Sequence, residues 1–208
     1  MTIAREPLQQ HDEVRQRLIA RALGLFVERG YAATSVREIV AAAGVTKPVL
    51  YYYFNSKEGL YLEIMGQIGG LFDQRVNDLE NSSGSVRQRL LHLFTGMYDG
   101  AIGNLPAVRL AYSIYFGPPQ GAPFVDFNSF FDRLLELVER MVEQGVAGGE
   151  LTECNRRALV WSLVGSYHTI LEEQVCRTVP RMSRDDLVDV IGQILDGVEK
   201  SKRERMRS

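Results

Sequence analysis

Residues 34–57 read TSVREIVAAAGVTKPVLYYYFNSK, and this segment predicts the architecture of the first part of the chain. Ser35 lies three residues before a glutamate, the spacing of a capping box that opens a helix. Gly44 follows the last apolar position of that helix, where a left-handed residue is easiest to accommodate. Thr46 and Pro48 predict the cap and the first turn of a second helix. Two short helices joined by a glycine-containing turn predict a helix-turn-helix.

The second of these helices carries three consecutive tyrosines, Tyr51, Tyr52 and Tyr53. Successive side chains on a helix point about 100° apart, so the three rings cannot all face one core. Leu50 and Phe54, four residues apart, already supply the apolar face. We therefore expect Tyr51 and at least one of its neighbours to lie on the surface and face DNA.

The run AAGVTKPVLYYYF followed by NSKE closely resembles the DNA-binding domain of the TetR/AcrR family of bacterial transcriptional regulators. The resemblance extends from about Val14 to about Ile64 and departs from the family pattern at two positions. The family often has His at the position of Tyr53 and commonly has Gly at the position of Pro48. Beyond Ile64 the resemblance is one of length and helical content. It implies a helix-turn-helix DNA-binding domain over residues 1–56 and an effector-binding and dimerisation domain over residues 57–208.

In a helix-turn-helix the second helix enters the major groove with its N-terminal residues nearest the bases. Lys47 is therefore expected to contact a base, since lysine can donate to guanine O6 and N7. Lys57 begins the next helix, whose dipole favours a phosphate. Arg37 is expected to contact a base or phosphate, with an ordinary solvated charge as the alternative. The resemblance suggests phosphate contacts for Tyr51 and Tyr52 and a further position in the groove for Tyr53. The full set expected to bind DNA is Ser35, Arg37, Thr46, Lys47, Pro48, Val49, Tyr51, Tyr52, Tyr53 and Lys57.

The formal net charge of −2 does not by itself favour nucleic-acid binding. Residues 1–60 contain eight Lys/Arg and six Asp/Glu, a net charge of +2, so binding must depend on where a few charges lie. Residues 1–13 contain no apolar h-region, and no apolar run approaches the length of a membrane span. We expect a cytoplasmic protein with no membrane partner.

Hydrophobic periodicity and caps predict an all-α chain of about nine helices. Three lie in an N-terminal head (the DNA-binding domain, residues 1–56), and six, including the connecting helix, lie in a C-terminal helical bundle. Residues 1–11 are expected to be a frayed leader and the tail from Lys200 to be solvated. The helices predicted outside the helix-turn-helix are Asp12–Arg29, Lys57–Glu80, Ser85–Gly100, Leu105–Phe116, Phe124–Gln144, Cys154–Arg177 capped by Thr152, and Ser183–Lys200.

One head makes few contacts, whereas two heads on a two-fold axis read a palindrome with half-sites about one DNA turn apart. The family resemblance implies a homodimer formed through the last two long helices. The interface residues expected there are Leu163, Tyr167, Ile170, Leu187, Ile191 and Ile194, with plain core packing as the alternative.

The resemblance also implies a pocket for a small, largely apolar effector whose binding releases the operator. Its expected walls are Met97, Tyr112, Phe116, Phe127, Phe131, Trp161 and His168, although aromatic stripes are usually core. The alternatives are a regulator that responds to a protein partner or to oxidation of Cys154 or Cys176, and an activator in place of a repressor.

No nucleophile elbow, zinc-protease motif, P-loop or dinucleotide fingerprint occurs in the sequence. Two cysteines and three scattered histidines form no metal-spaced group. We therefore expect no catalytic residue, no metal and no cofactor, and double-stranded DNA as the macromolecular partner.

Overall fold

A computed structural model describes residues 7–80, 83–117 and 121–199, with the backbone alone at residues 7–10, 71–72 and 75–80. Within these residues the chain forms nine α-helices and no strand beyond an isolated bridge between Leu151 and Glu199, which confirms the predicted all-α fold. The helices are α1 (Pro7–Arg29), α2 (Val36–Ala43), α3 (Lys47–Phe54), α4 (Lys57–Glu80), α5 (Val86–Gly103), α6 (Leu105–Tyr115), α7 (Phe127–Ala147), α8 (Arg156–Cys176) and α9 (Arg184–Asp196).

Several helix ends differ from the predicted ones because local hydrogen bonds select other caps. The helix predicted from Phe124 begins at Phe127, since the Asp126 carboxylate accepts the N–H of Ser129. The cap of α8 is Asn155, whose side chain accepts the Ala158 N–H at 3.0 Å, and not Thr152. Residues 7–11 belong to α1, so the prediction of a frayed leader is wrong for them, and residues 1–6 and the tail from Lys200 lie outside the described residues.

The chain divides into two compact units. The first comprises residues up to Ile68 together with Pro106–Val125, and the second comprises Gly69–Leu105 and the residues from Asp126 onward. Helix α4 contributes residues to both units. The predicted domain boundary between residues 56 and 57 stays a prediction.

The first unit has its core where α1 to α4 meet. The apolar residues of α1 recur every four positions, so one stripe of the helix is removed from water. The largest fully buried side chains of these four helices are Leu18, Phe26, Ile39, Leu50, Leu60, Tyr61 and Ile64. This core fixes the relative positions of the two helices of the helix-turn-helix.

The second unit is a helical bundle in which α5, α7, α8 and α9 pack against one another. Ser85 and Ser183 open α5 and α9 with capping boxes, as their spacing predicts. The bundle core includes Leu90, Phe94, Val138, Met141, Val142, Leu163, Val164, Leu187, Ile191 and Leu195. No helix in the described part of the chain is both long enough and apolar enough to cross a bilayer.

Candidate nucleic-acid interface

The turn between α2 and α3 is built from the signals that the sequence contains. Ser35 accepts the N–H of Glu38 and donates its own N–H and hydroxyl to the Glu38 carboxylate, which is the predicted capping box. Those two donated bonds, with a smaller contribution from Arg29, lower the pKa of Glu38 below its ordinary value. Gly44 ends α2 at φ 64°, in the left-handed region that favours glycine.

Helix α3 begins after Thr46, which has the extended backbone of a capping residue. Its side chain makes no capping bond, Pro48 has no N–H, and the N–H groups of Val49 and Leu50 both donate to the Thr46 carbonyl. The Lys47 N–H is therefore the donor in the first turn of α3 that an anion can use. Pro48 lies in the first turn, where no N–H is lost from the helix.

The outward face of α3 is polar and aromatic. Leu50 and Phe54 are buried, at 0% and 5% exposure, and they hold the helix against the core. Tyr51 and Tyr52 are 45% and 72% exposed, and Lys47 is also exposed. None of the three tyrosines is buried, as the 100° separation of neighbouring side chains predicts.

The junction of α3 and α4 is a close approach of two backbones. Asn55 ends α3 with φ 60°, and the Ser56 hydroxyl accepts the N–H of Gly59 at 2.9 Å. A Cβ atom at Gly59 would overlap with the carbonyl oxygen of Phe54. Glycine at position 59 therefore allows α4 to start beside the end of α3.

Lys57 has partners inside the first unit. Its ammonium donates to the carbonyl oxygens of Tyr31 and Thr34, both at 2.9 Å, and its Nζ lies 4.1 Å from the centre of the Tyr31 ring. These bonds tie the start of α4 to the segment that joins α1 to α2. The ammonium has three N–H donors, so the predicted phosphate contact stays a prediction that competes with a structural role.

An aromatic cluster supports this lysine. The Tyr31 ring lies 5.0 Å from that of Tyr61 and 5.5 Å from that of Phe26. Burial, with a smaller contribution from the neighbouring Tyr31, raises the pKa of Tyr61 to about 12. Tyr61 therefore stays neutral, and its ring completes the core between α1 and α4.

The other residues predicted to bind DNA differ in their exposure. Arg37 is exposed on α2. Thr46 and Pro48 are exposed at the start of α3, and Val49 is partly exposed. Arg17 Nε donates to the carbonyl of Ala43 at 2.8 Å and so satisfies the C-terminal end of α2. The DNA contacts of the predicted residues stay predictions, but the first turn of α3 and its outward face lie on one surface.

Five of the six residues predicted for the dimer interface are buried within the protomer. Leu163, Leu187 and Ile191 are completely buried, and Tyr167 and Ile170 are 6% and 3% exposed. A side chain that the protomer already covers has no surface to offer to a second copy. These five residues are therefore core residues of the second unit, and of the six only Ile194 is partly exposed.

The structure distributes the predicted effector residues over both units. Tyr112 and Phe116 belong to the first unit, where their rings lie 5.6 Å apart. The other five belong to the second unit, in which the Phe131 and Trp161 rings meet at 5.9 Å. Burial lowers the pKa of His168, and the Glu172 carboxylate opposes that shift. A common pocket of Met97, Tyr112, Phe116, Phe127, Phe131, Trp161 and His168 stays a prediction.

A surface hollow of about 600 Å³ lies in the first unit, bordered by Phe26, Arg29, Gly30 and Ser113. It includes none of the predicted effector residues. Among the described residues no group of three or more His, Cys, Asp and Glu side chains is placed to bind a metal ion. Cys154 is partly exposed and Cys176 is exposed, and both are free thiols.

The sequence is similar to known regulators along part of its length. Residues 18–64 match the family model described as bacterial regulatory proteins, tetR family. The HTH-type transcriptional activator FasR of Mycolicibacterium smegmatis is 33% identical over 132 residues, which cover 62% of this chain and 60% of that protein. The HTH-type transcriptional repressor KstR2 of Mycobacterium tuberculosis is 36% identical over 86 residues, which cover 41% of this chain and 42% of that protein. The chain thus spans less than two thirds of the length of these relatives.

Solved structures share the fold over a larger part of the chain. The TetR family transcriptional regulator PfmR from Thermus thermophilus has a TM-score of 0.68 at 22% identity, covering 88% of this chain and all of that one. Regulators of this kind are not enzymes, in agreement with the lack of a catalytic motif in the sequence. The family model and the matched relatives thus identify residues 18–64 as a TetR-type helix-turn-helix region, and the chain as a whole has the all-α fold of TetR family regulators.

Proposed function

We propose that this chain is a DNA-binding transcription regulator that acts as a homodimeric repressor at a palindromic operator. The observation that carries the proposal is the outward face of α3, where Lys47, Tyr51 and Tyr52 are exposed while Leu50 and Phe54 anchor the helix. Such a helix can lie in the major groove without losing its contact with the core. The matched relatives include repressors and an activator, and repression is the mode proposed here.

Each exposed group of the head has a stated role in this proposal. Lys47, at the start of α3, donates to a guanine edge, and Pro48 and Val49 contact a thymine methyl group. Tyr51 and Tyr52 donate their hydroxyls to phosphates, which positions the helix but carries no base specificity. Arg37 and the backbone N–H of Lys47, at the start of α3, add further phosphate contacts.

The homodimer is proposed to form through the outer faces of α8 and α9. On α8 this face includes Trp161, which is 49% exposed, together with the exposed residues Gly165 and Thr169. Small residues allow two helices to approach closely, and the tryptophan supplies apolar area. Ile194 is the residue of the predicted interface that remains available on α9.

The regulatory step is proposed to be release of the operator by a small, largely apolar effector bound in the C-terminal domain. An effector that binds only the DNA-incompetent state shifts the population by no more than its differential affinity for the two states. The Phe131 and Trp161 rings, which meet within the second unit, supply aromatic surface that supports such a site. A protein partner, oxidation of a cysteine, or activation would give a different response in the same assay.

The test measures binding of the full chain to duplexes selected from a random pool, with single substitutions in α3. Tyr51→Ala should weaken binding to every duplex by about the same factor, because a phosphate contact is independent of sequence. Lys47→Ala should weaken binding and also relax the preference at one base position of each half-site, by about 1–3 kcal/mol.

The matched control is Arg140→Ala, which removes an exposed cation from α7 in the second unit. It should leave operator affinity unchanged. Equal affinity of Tyr51→Ala, Lys47→Ala and the wild-type chain would refute the assignment of α3 as the recognition helix. Sedimentation at micromolar concentration should show a dimer, and a monomer would remove the argument for a palindrome.

A further inference from the structure

His11, near the N-terminal end of α1, contacts the C-terminal half of α3. The Tyr53 hydroxyl oxygen lies 3.1 Å from His11 Nδ1 and 3.1 Å from the His11 carbonyl oxygen. The imidazole ring meets the Tyr52 and Tyr53 rings edge-on at 6.1 and 6.0 Å, and those two rings lie 5.1 Å apart. Three side chains from two helices therefore form one cluster at the edge of the outward face of α3.

The two bonds at Tyr53 define where its hydrogen goes. Both bonds are made at full strength only when Nδ1 carries a hydrogen and donates it to the Tyr53 oxygen, while the Tyr53 hydroxyl donates to the His11 carbonyl. In that arrangement the single hydrogen of Tyr53 is used inside the protein. Tyr53 therefore has no hydrogen left to donate to a phosphate, in contrast to the 72% exposed Tyr52 beside it.

We propose that His11 is a positioning residue of the DNA-binding surface, which acts by holding Tyr53 and, through the ring contacts, Tyr52. The proposal rests on the function proposed above. The core anchors of α3, Leu50 and Phe54, are buried, and Phe54 meets the Tyr53 ring at 6.1 Å from within the same helix. His11 holds the outer rings from α1, so less rotamer freedom is lost when DNA binds.

This role differs from the one expected for Tyr53 from the sequence. A tyrosine that reached into the groove would contact DNA directly, and its effect would be independent of His11. A tyrosine that positions α3 acts through its interaction with His11, so once His11 has been removed, loss of the Tyr53 hydroxyl should cause no further loss of affinity.

A double-mutant cycle on operator affinity separates these two roles. The full chain and the variants His11→Ala, Tyr53→Phe and their combination are titrated against the duplex selected by the wild-type chain. Each single substitution should weaken binding by about three- to tenfold, and the double variant should be no weaker than the weaker single one. His11→Asn, which can place an amide donor near the position of Nδ1, should restore part of the lost affinity.

The control is His92→Ala, which removes an exposed histidine from α5 and should leave affinity unchanged. Thermal unfolding of each variant is measured in parallel. Additive losses in the cycle, or unchanged affinity of His11→Ala beside a wild-type chain that binds its duplex, would overturn the proposal and leave the proposed function intact. A wild-type chain that binds no duplex at all would overturn both.

Discussion

Glycine at position 59 is required by the junction of α3 and α4, and replacing it tests how the recognition helix is held. A Cβ atom there would overlap with the Phe54 carbonyl oxygen and lie 3.2 Å from the Phe54 carbonyl carbon. These are backbone atoms, so they cannot move away as the end of a flexible side chain does. Gly59→Ala must displace either the end of α3 or the first turn of α4.

Two other glycines of the same unit provide matched controls. Gly24 in α1 and Gly66 in α4 are exposed, and a Cβ at either position would meet nothing within 4 Å. At such positions alanine stabilises a helix by roughly 0.5–1 kcal/mol, because glycine loses more backbone freedom on folding. The same gain is available at position 59, but overpacking there costs about 1–3 kcal/mol.

The change in the free energy of unfolding is therefore expected to have one sign at positions 24 and 66 and the opposite sign at position 59. Gly24→Ala and Gly66→Ala should raise the free energy of unfolding by up to about 1 kcal/mol, whereas Gly59→Ala should lower it by up to about 2 kcal/mol. Urea unfolding followed by far-UV circular dichroism measures the shift in midpoint at unchanged slope. Operator affinity should fall for Gly59→Ala alone, because only that change disturbs the junction that holds the end of α3. If Gly59→Ala proved as stable as Gly66→Ala, the close approach of the two backbones would not be a constraint on the head.

Three further substitutions test other interactions. Lys57→Met keeps the aliphatic part of the side chain and removes the ammonium from the Tyr31 and Thr34 carbonyls. It should lower the free energy of unfolding by about 1–3 kcal/mol. Unchanged stability together with weaker DNA binding would show that Lys57 acts only as a phosphate contact. Ser35→Ala should cost about 1 kcal/mol through the lost cap, and unfolding at an unchanged urea midpoint would exclude that contribution. Hydrogen bonds from Arg181 and Arg177 lower the pKa of Glu173 to about 2, so its stabilising effect is present above about pH 4 and is lost as the pH falls toward 2. The stability gap between the wild-type chain and Glu173→Gln should therefore narrow from pH 5 to pH 3, and a constant gap would contradict the assignment.

Features encoded by neighbours in the chain could be predicted from the sequence. Ser35, Ser85 and Ser183 all form capping boxes with the residue three positions later, because the interaction is complete within one helical turn. The left-handed Gly44 and the exposure of Tyr51 and Tyr52 follow from equally local rules. These features define the helix-turn-helix.

Features that depend on partners distant in the chain could not be predicted. The carbonyls that bind Lys57 belong to residues 26 and 23 positions earlier, and no periodicity indicates them. His11 was assigned to a leader, although it lies seven residues before the buried Leu18 and so continues the helical spacing of α1. That spacing is the signal that could have identified it.

The residues of the dimer interface could not be predicted from the sequence either, because their apolar pattern also fits the core of a single protomer. Leu163 and Ile191 have the apolar character that an interface needs, but the bundle core needs the same character and already buries both. An apolar pattern identifies a covered face and does not say whether the cover is another helix of the protomer or a second protomer. Exposed residues of α8 such as Trp161 became candidates only when the packing of the bundle was known.

In the proposed complex, two copies of the head bind a symmetric duplex through α3. Selection of duplexes from a random pool by the full chain, followed by sequencing, shows whether the bound sites are symmetric. We predict an enriched inverted repeat whose half-sites lie about 10 base pairs apart centre to centre, or somewhat more. Enrichment of a single unpaired site, or of no sequence at all, would contradict it.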